Sequence, residues 1–160
     1  MTALPSNIIE MDFVVVSEDY SRYLVKDGST LKVKIVVRKI MRMGLITAQG
    51  YPTNLGLDAF NVITSMVPPG LKAEPSKEPW NPVTDVGTEL KFEPIEEKWQ
   101  EYITHDGYKV LVKPVVTKVI RYDKYNEFGE PIYSATVQTI MNIERFASTA
   151  TGHTASTVSS

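Results

Sequence analysis

The sequence predicts an all-β protein built from two tandem repeats, and three observations support that prediction. The chain aligns with itself at an offset of 79 residues, both aligned parts alternate apolar with polar residues, and no segment has the period of an amphipathic helix. We expect about four strands in each repeat, around an Asp-Gly hairpin. The two repeats are then expected to form a sandwich of two sheets or a double small barrel.

The duplication is visible without a single gap. Residues 9–67 align with residues 88–146, and fourteen of the 59 aligned positions are identical, whereas chance would give about three. The predicted organisation follows from this alignment. It consists of a first β-repeat at 1–67, a Pro-rich linker at 68–87, a second β-repeat at 88–146 and a disordered Ser/Thr-rich tail at 147–160.

Each repeat is expected to begin with a short strand, Ile9–Val16 or Thr88–Ile95. A corner rich in acidic residues follows, and a second strand then opens at an aromatic residue, Tyr20 or Trp99. Alternating apolar residues in both segments are typical of strands that are buried on one face.

An Asp-Gly pair ends the second strand of both repeats. The predicted turn residues are Asp27, Gly28, Asp106 and Gly107. Asp-Gly between alternating apolar residues favours a two-residue type I′ hairpin. That turn would place Leu24 opposite Leu31, and Ile103 opposite Val110.

The third strand shows the clearest alternation, over about 13 residues in each repeat. That length is unusual for a strand, so we expect it to bend or break midway, and Pro114 favours a bulge or an edge position there. The last strand is regular at Tyr133–Glu144. Its counterpart at Leu57–Met66 is less regular, and a short helical turn is an alternative there.

The linker contains five of the ten prolines and one tryptophan, Trp80. Proline fixes φ and removes a backbone donor, so the linker is expected to be semi-extended. We expect the indole of Trp80 to pack on one of the repeats, with an anchor for a partner protein as the alternative.

Composition excludes several functional classes. The chain has 42% hydrophobic and 22% charged residues, a net charge of −2, no cysteine and two histidines. Disulfides, thiolate metal sites and cysteine nucleophiles are therefore impossible. No apolar run is long enough to span a bilayer and no signal peptide is recognisable, so a cytoplasmic protein without membrane association is expected. The sequence predicts no catalytic residue, no cofactor and no metal site.

Basic and aromatic residues around the third strand are the candidate interaction residues. They are Tyr23, Lys32, Lys34, Arg38, Lys39, Arg42, Tyr102, Lys113, Lys118 and Arg121. The predicted register places both tyrosines on the face that carries the lysines. Such a face binds single-stranded nucleic acid in some small β-domains. The net negative charge argues against that function, and a solvated face that blocks edge pairing is the other interpretation.

Lys39 and Lys118 occupy the same position in the two repeats, on a strand face that is otherwise apolar. One explanation is that each side chain extends to water at a strand end. The other is a salt bridge to an acidic residue. The candidate partners are Glu10, Glu18, Glu89 and Glu97.

The sequence thus predicts a non-enzymatic structural or assembly protein that self-associates through its β-repeats as a homo-oligomer or filament. Another protein is a further expected type of partner. The alternative is a small β-module that binds single-stranded nucleic acid through the basic face of the third strand.

Overall fold

The computed structural model describes residues 8–46 and 52–145, and these residues form an all-β structure with one short 3₁₀ turn at Pro69–Leu71. The strands of the first half are β1 (Ile9–Met11), β2 (Phe13–Ser17), β3 (Ser21–Val25), β4 (Thr30–Ile46) and β5 (Pro52–Met66). Those of the second half are β6 (Gly87–Leu90), β7 (Phe92–Glu96), β8 (Gln100–Thr104), β9 (Tyr108–Tyr125) and β10 (Pro131–Arg145). The described part of each half therefore contains five strands, whereas the sequence predicted about four.

The ten strands form two antiparallel sheets of five strands. In sheet 1 the order is β5–β4–β3–β7, and β1 pairs with β4 beyond the end of β3. In sheet 2 the order is β10–β9–β8–β2, and β6 pairs with β9 beyond the end of β8. Each sheet thus contains one strand from the other half of the chain, so the sheets do not follow the boundary between the predicted repeats.

The exchange occurs where a single first strand was predicted in each half. At Asp12 and at Lys91 the chain leaves its own sheet and joins the opposite one. The carbonyl of Asp12 accepts a hydrogen bond from the His105 amide (3.0 Å), and the carbonyl of Lys91 accepts one from the Lys26 amide (2.9 Å). The prediction of one continuous strand at Ile9–Val16 was wrong because its two parts pair with different neighbours.

The hairpin turns contain three residues rather than two. Val25 donates its amide hydrogen to Ser29, and Gly28 donates to Val25, so the loop consists of residues 26–28 with Gly28 at φ 95°. This is the geometry of a type I turn closed by a glycine bulge. The type I′ prediction was therefore wrong at both hairpins, where Tyr23 faces Leu31 and Tyr102 faces Val110.

The two long strands, β4 and β9, contain 17 and 18 residues and do not break. Each has a bulge opposite the last strand of its half, between Val37 and Lys39 in β4 and between Val116 and Lys118 in β9. Pro114 does not cause the bulge. It lies in the stretch of β9 between the ends of β8 and β6, where no described strand pairs with the side of β9 opposite β10, so its missing amide hydrogen interrupts no ladder. The helical turn considered for residues 57–66 is not present, since β5 covers them.

Two hydrophobic clusters lie between the sheets, and both halves contribute to each. The buried members of the first are Met11, Ile35, Val37, Ile40, Leu55, Tyr102, Tyr108, Val110 and Val112. Those of the second are Tyr23, Val25, Leu31, Val33, Val116 and Val119. Because each cluster contains side chains from both halves, the described residues of neither half enclose a core of their own.

The linker lies against the hairpin formed by β9 and β10. Ala73 donates its amide hydrogen to the Gly129 carbonyl (2.9 Å), and Ser76 donates to that of Tyr125 (3.1 Å). The ring of Trp80 packs against that of Tyr122 with 5.3 Å between centroids. The prediction that Trp80 fastens the linker to a repeat is therefore confirmed. The predicted tail, 147–160, lies outside the described residues.

Candidate interaction surfaces

Two equivalent side-chain hydrogen bonds connect the two halves of the chain. They lie next to β2 and β7, the strands that each half places in the opposite sheet, and we call these places the crossings. The Tyr23 hydroxyl donates to Glu97 Oε2 (2.7 Å) and accepts from the Val116 amide (3.1 Å), which lies in the unpaired stretch of β9. At the offset of 79 residues, the Tyr102 hydroxyl donates to Glu18 Oε2 (2.8 Å). We refer to these two tyrosine–glutamate pairs as the crossing contacts.

On the side of β4 opposite β5, no described strand pairs between the ends of β3 and β1, and this stretch is filled in a different way. The side-chain amide of Gln100 receives a hydrogen bond from the Ile35 amide (2.8 Å) and donates one to the Ile35 carbonyl, as a neighbouring strand would. Gln100 also lies 2.7 Å from the Tyr102 hydroxyl. Its counterpart in the first half is Ser21, whose hydroxyl accepts from the Lys98 amide (2.8 Å). At both crossings, polar side chains from the opposite half thus form hydrogen bonds with backbone groups of the long strand.

Burial strongly favours the protonated phenol at both crossings. It raises the pKa of Tyr23 and of Tyr102, and the hydrogen bonds to Glu97 and Glu18 raise it further. Both side chains are completely buried. The expectation that they share a face with the lysines was wrong, because the three-residue turn shifts the register by one residue and directs both tyrosines into the core.

The aromatic partners of the basic face are Tyr20 and Trp99. The ammonium groups of Lys32 and Lys34 lie 4.8 and 4.9 Å from the centre of the Tyr20 ring, and that of Lys113 lies 4.9 Å from the centre of the Trp99 ring. These distances are within the range of cation–π contacts. Tyr20 and Trp99 are aligned with each other at the offset of 79 residues, so the sequence itself indicated that they occupy equivalent positions.

The other basic candidates are scattered. Arg38 pairs with Asp58 (2.8 Å), and Lys39 pairs with Glu10 (3.4 Å), one of its predicted partners. Within the described part of the chain, Lys118 has no acidic partner within 4.0 Å, and the Nε atom of Arg42 is buried without a hydrogen-bond acceptor. The ten predicted residues therefore do not form one surface.

The two Asp-Gly turns have different surroundings. Asp27 receives hydrogen bonds from Tyr133 (2.6 Å), Arg121 (3.0 Å) and the amide of Ser29 (2.9 Å), and its side chain is 7% exposed. Burial opposes ionisation of this carboxyl, but the hydrogen bonds outweigh it and lower its pKa. Asp106, the counterpart of Asp27, is exposed. We refer to the group around Asp27 as the Asp27 cluster.

The long outer strands, β5 and β10, form one open side of the sandwich. Each contains 15 residues, and within the described residues neither pairs with a second strand. Asp58 is the only charged residue of β5, and Glu144 and Arg145 at the end of β10 are its only charged residues. Phe60 is 48% exposed and Ile140 is 44% exposed. Sequence analysis missed this surface because alternation does not reveal which strand is outermost.

A groove separates the two long edges. Its volume is about 370 Å³. It is lined by Ile35, Leu57, Ala59, Phe60, Asn61, Thr139 and Met141. Ile35 belongs to the buried core, so the groove leads from the solvent to the interior of the sandwich. One bound surface could cover both edges at the same time.

Within the described residues, no group of three or more histidine, aspartate and glutamate side chains is arranged to hold a metal ion. The same part of the chain has no helix with the length and hydropathy needed to traverse a bilayer.

Comparison with known proteins finds no family model that matches the chain, no similar curated protein and no similar solved structure. A proposal for the function therefore depends on the surfaces of the molecule itself.

Proposed function

We propose that the protein is a structural or assembly component that self-associates through its long edges, β5 and β10. The observation that carries this proposal is that two outermost strands of 15 residues, almost without charge, lie on the same side of one sandwich. Natural proteins usually protect such edges with lysine, proline or a short strand, because unpaired backbone groups otherwise recruit another strand.

A second copy of the chain is the partner that suits this side. Both edges have similar length and little charge, so a two-fold related copy would meet them with edges of the same kind. The exposed apolar side chains of Phe60, Ile140 and Met141 would lose contact with water in the same step. Backbone hydrogen bonds and apolar burial together would then drive assembly.

The nucleic-acid alternative has less support. Its two stacking tyrosines are buried, and the remaining aromatic and basic group on sheet 1 consists of Tyr20, Lys32 and Lys34. Lys34 also lies 4.0 Å from Glu18, which reduces the positive charge available to a phosphate.

Light scattering coupled to gel filtration tests the proposal. The wild-type chain should elute as a closed oligomer or filament rather than as the 17.9 kDa monomer. The double variant Ala59→Lys/Thr139→Lys adds one charge to each long edge at exposed positions. We expect it to be a folded monomer, because lysines in opposing edges would repel each other.

The matched control is Val83→Lys/Val86→Lys, which adds the same charge at linker positions that are 88% and 83% exposed. It should assemble like the wild type. A wild-type monomer at high micromolar concentration would contradict the proposal, as would an edge variant that assembles normally. Circular dichroism of each variant identifies any loss of fold.

A further inference from the structure

The short outer strands, β2 and β7, are equivalent in position but differ in the side chains that they expose to solvent. Among the described strands each has a single partner, β8 for β2 and β3 for β7. In β2, the three successive residues Val14, Val15 and Val16 are 62%, 52% and 52% exposed. Because successive side chains point to opposite faces, both faces of β2 are open.

Strand β7 carries the features that normally prevent edge pairing. Glu93 and Pro94 occupy the positions of Val14 and Val15, and Glu96 follows. Pro94 lies opposite Tyr23 just as Val15 lies opposite Tyr102. A proline is tolerated in an outer strand where its nitrogen faces solvent. By this equivalence, Val15 directs a free amide hydrogen outwards from β2.

The ends of β2 are acidic. Residues 9–21 contain four acidic side chains and no basic one. Asp12 is exposed, and the side chain of Asp19 is 67% exposed, with the Lys98 ammonium 4.0 Å away on one side of it. If β2 paired with β2 of a second copy around Val15, Asp12 would lie opposite Glu18 at both ends, and like charges in opposite positions destabilise a pair of strands. A second copy is therefore a poor partner for this edge.

We propose that β2 is a docking edge for an extended segment of another protein, with apolar or β-branched residues at its centre and Lys or Arg at both ends. The backbone of that segment would add a strand to sheet 2 beside β2. Its basic ends would meet Asp12 and Asp19. The site lies at the opposite end of sheet 2 from β10, so it is separate from the edges proposed for self-association.

The test transfers the sequence of β7 to β2. The variant Val14→Glu/Val15→Pro should fold, because Glu93 and Pro94 are accommodated at the same register. A fluorescein-labelled peptide of sequence KVTVTVK serves as the probe, and its anisotropy is measured against protein concentration. We expect saturable binding to the wild type and at least about tenfold weaker binding to the variant. A matched control is Val83→Lys/Val86→Lys, which should bind like the wild type.

Two further measurements examine the chemistry of the partner. An EVTVTVE peptide should bind the wild type about fivefold more weakly than KVTVTVK, and Asp12→Lys/Asp19→Lys should reverse that preference. Conversely, Glu93→Val/Pro94→Val should create a second binding edge. The proposal is overturned if the wild type gives no saturable binding, if Val14→Glu/Val15→Pro binds KVTVTVK equally well, or if the charge variant keeps the original preference. Assembly that only Val14→Glu/Val15→Pro abolishes would assign this edge to a second copy instead.

Discussion

Tyr23 and Tyr102 make the same contact in the two halves, each donating a hydrogen bond to a glutamate from the opposite half. Asp27 and Asp106 are also identical residues at the same offset, yet their environments differ. Asp27 is enclosed by Tyr133 and Arg121, whereas Asp106 is exposed. Identical residues therefore make identical contacts at the crossings, but the two identical aspartates of the turns do not.

The difference shows which positions the fold requires twice. Both crossings lie where no described strand pairs with one side of a long strand, so the backbone groups on that side need a polar side chain from the other half. The Asp27 cluster needs the phenol of Tyr133, and the residue at the equivalent position of the first half is Asn54. The turns also differ in their own hydrogen bonds, since Asp27 accepts one from the Ser29 amide two residues later, whereas the corresponding amide of the second turn, that of Tyr108, donates to the Thr104 hydroxyl.

Alkaline pH should produce the largest effect, because it disrupts both crossings and the Asp27 cluster together. Burial raises the pKa of Tyr23, Tyr102 and Tyr133, in the last case to about 12 with a further contribution from Asp27. An unfolded tyrosine titrates near pH 10. The stability from these groups is therefore complete below pH 10 and is lost as the pH rises to 12 and beyond. Denaturant unfolding between pH 8 and pH 12 measures it.

The control is Tyr23→Phe/Tyr102→Phe. Each substitution should lower the free energy of unfolding at pH 8 by about 2 kcal/mol, because a hydrogen bond to a charged group is lost. The stability of the double variant should then fall less steeply above pH 10 than that of the wild type. Parallel pH profiles would contradict a role for the two phenols in the crossings.

The two turns should respond unequally to the loss of their carboxylates. Asp27→Ala should reduce the free energy of unfolding by about 2 kcal/mol, because Tyr133 and Arg121 lose a charged acceptor. Asp106→Ala should cost less than about 0.5 kcal/mol, since Asp106 is exposed. Because the pKa of Asp27 is lowered, its contribution is present above pH 4 and declines in more acidic solution. If Asp27→Ala and Asp106→Ala lowered the free energy of unfolding equally, the proposed difference between the two turns would be contradicted.

The sequence predicted the all-β class and the packing of Trp80 because both depend on local composition and pattern. The face on which Tyr23 lies was not predictable in the same way. Asp-Gly is compatible with turns of two or three residues, and this one-residue choice decides whether Tyr23 is buried. The turn type thus also decided that Tyr20, not Tyr23, contacts Lys32 and Lys34.

The strand exchange and the edges could not be deduced from alternation. Phe13–Ser17 has the same pattern whether it pairs with β3 of its own half or with β8 of the other half. Pairing decides which strands are outermost, so the alternation pattern could not predict that β2, β5 and β10 are outer strands either. The sequence does reflect the exchange at the crossing residues, because Glu18 is aligned with Glu97, and Tyr23 with Tyr102, as identical pairs.

Disulfide trapping tests the exchange of strands between the halves most directly, because the natural chain has no cysteine. Val14 lies opposite Ile103 in the ladder between β2 and β8. Residues directly opposite each other are close enough for a disulfide. If β2 instead paired with β3 of its own half, Val14 would lie opposite Leu24. We expect Val14→Cys/Ile103→Cys to form a disulfide within one chain under mild oxidation, while Val14→Cys/Leu24→Cys keeps both thiols free. A disulfide in the second variant and free thiols in the first would contradict the exchange.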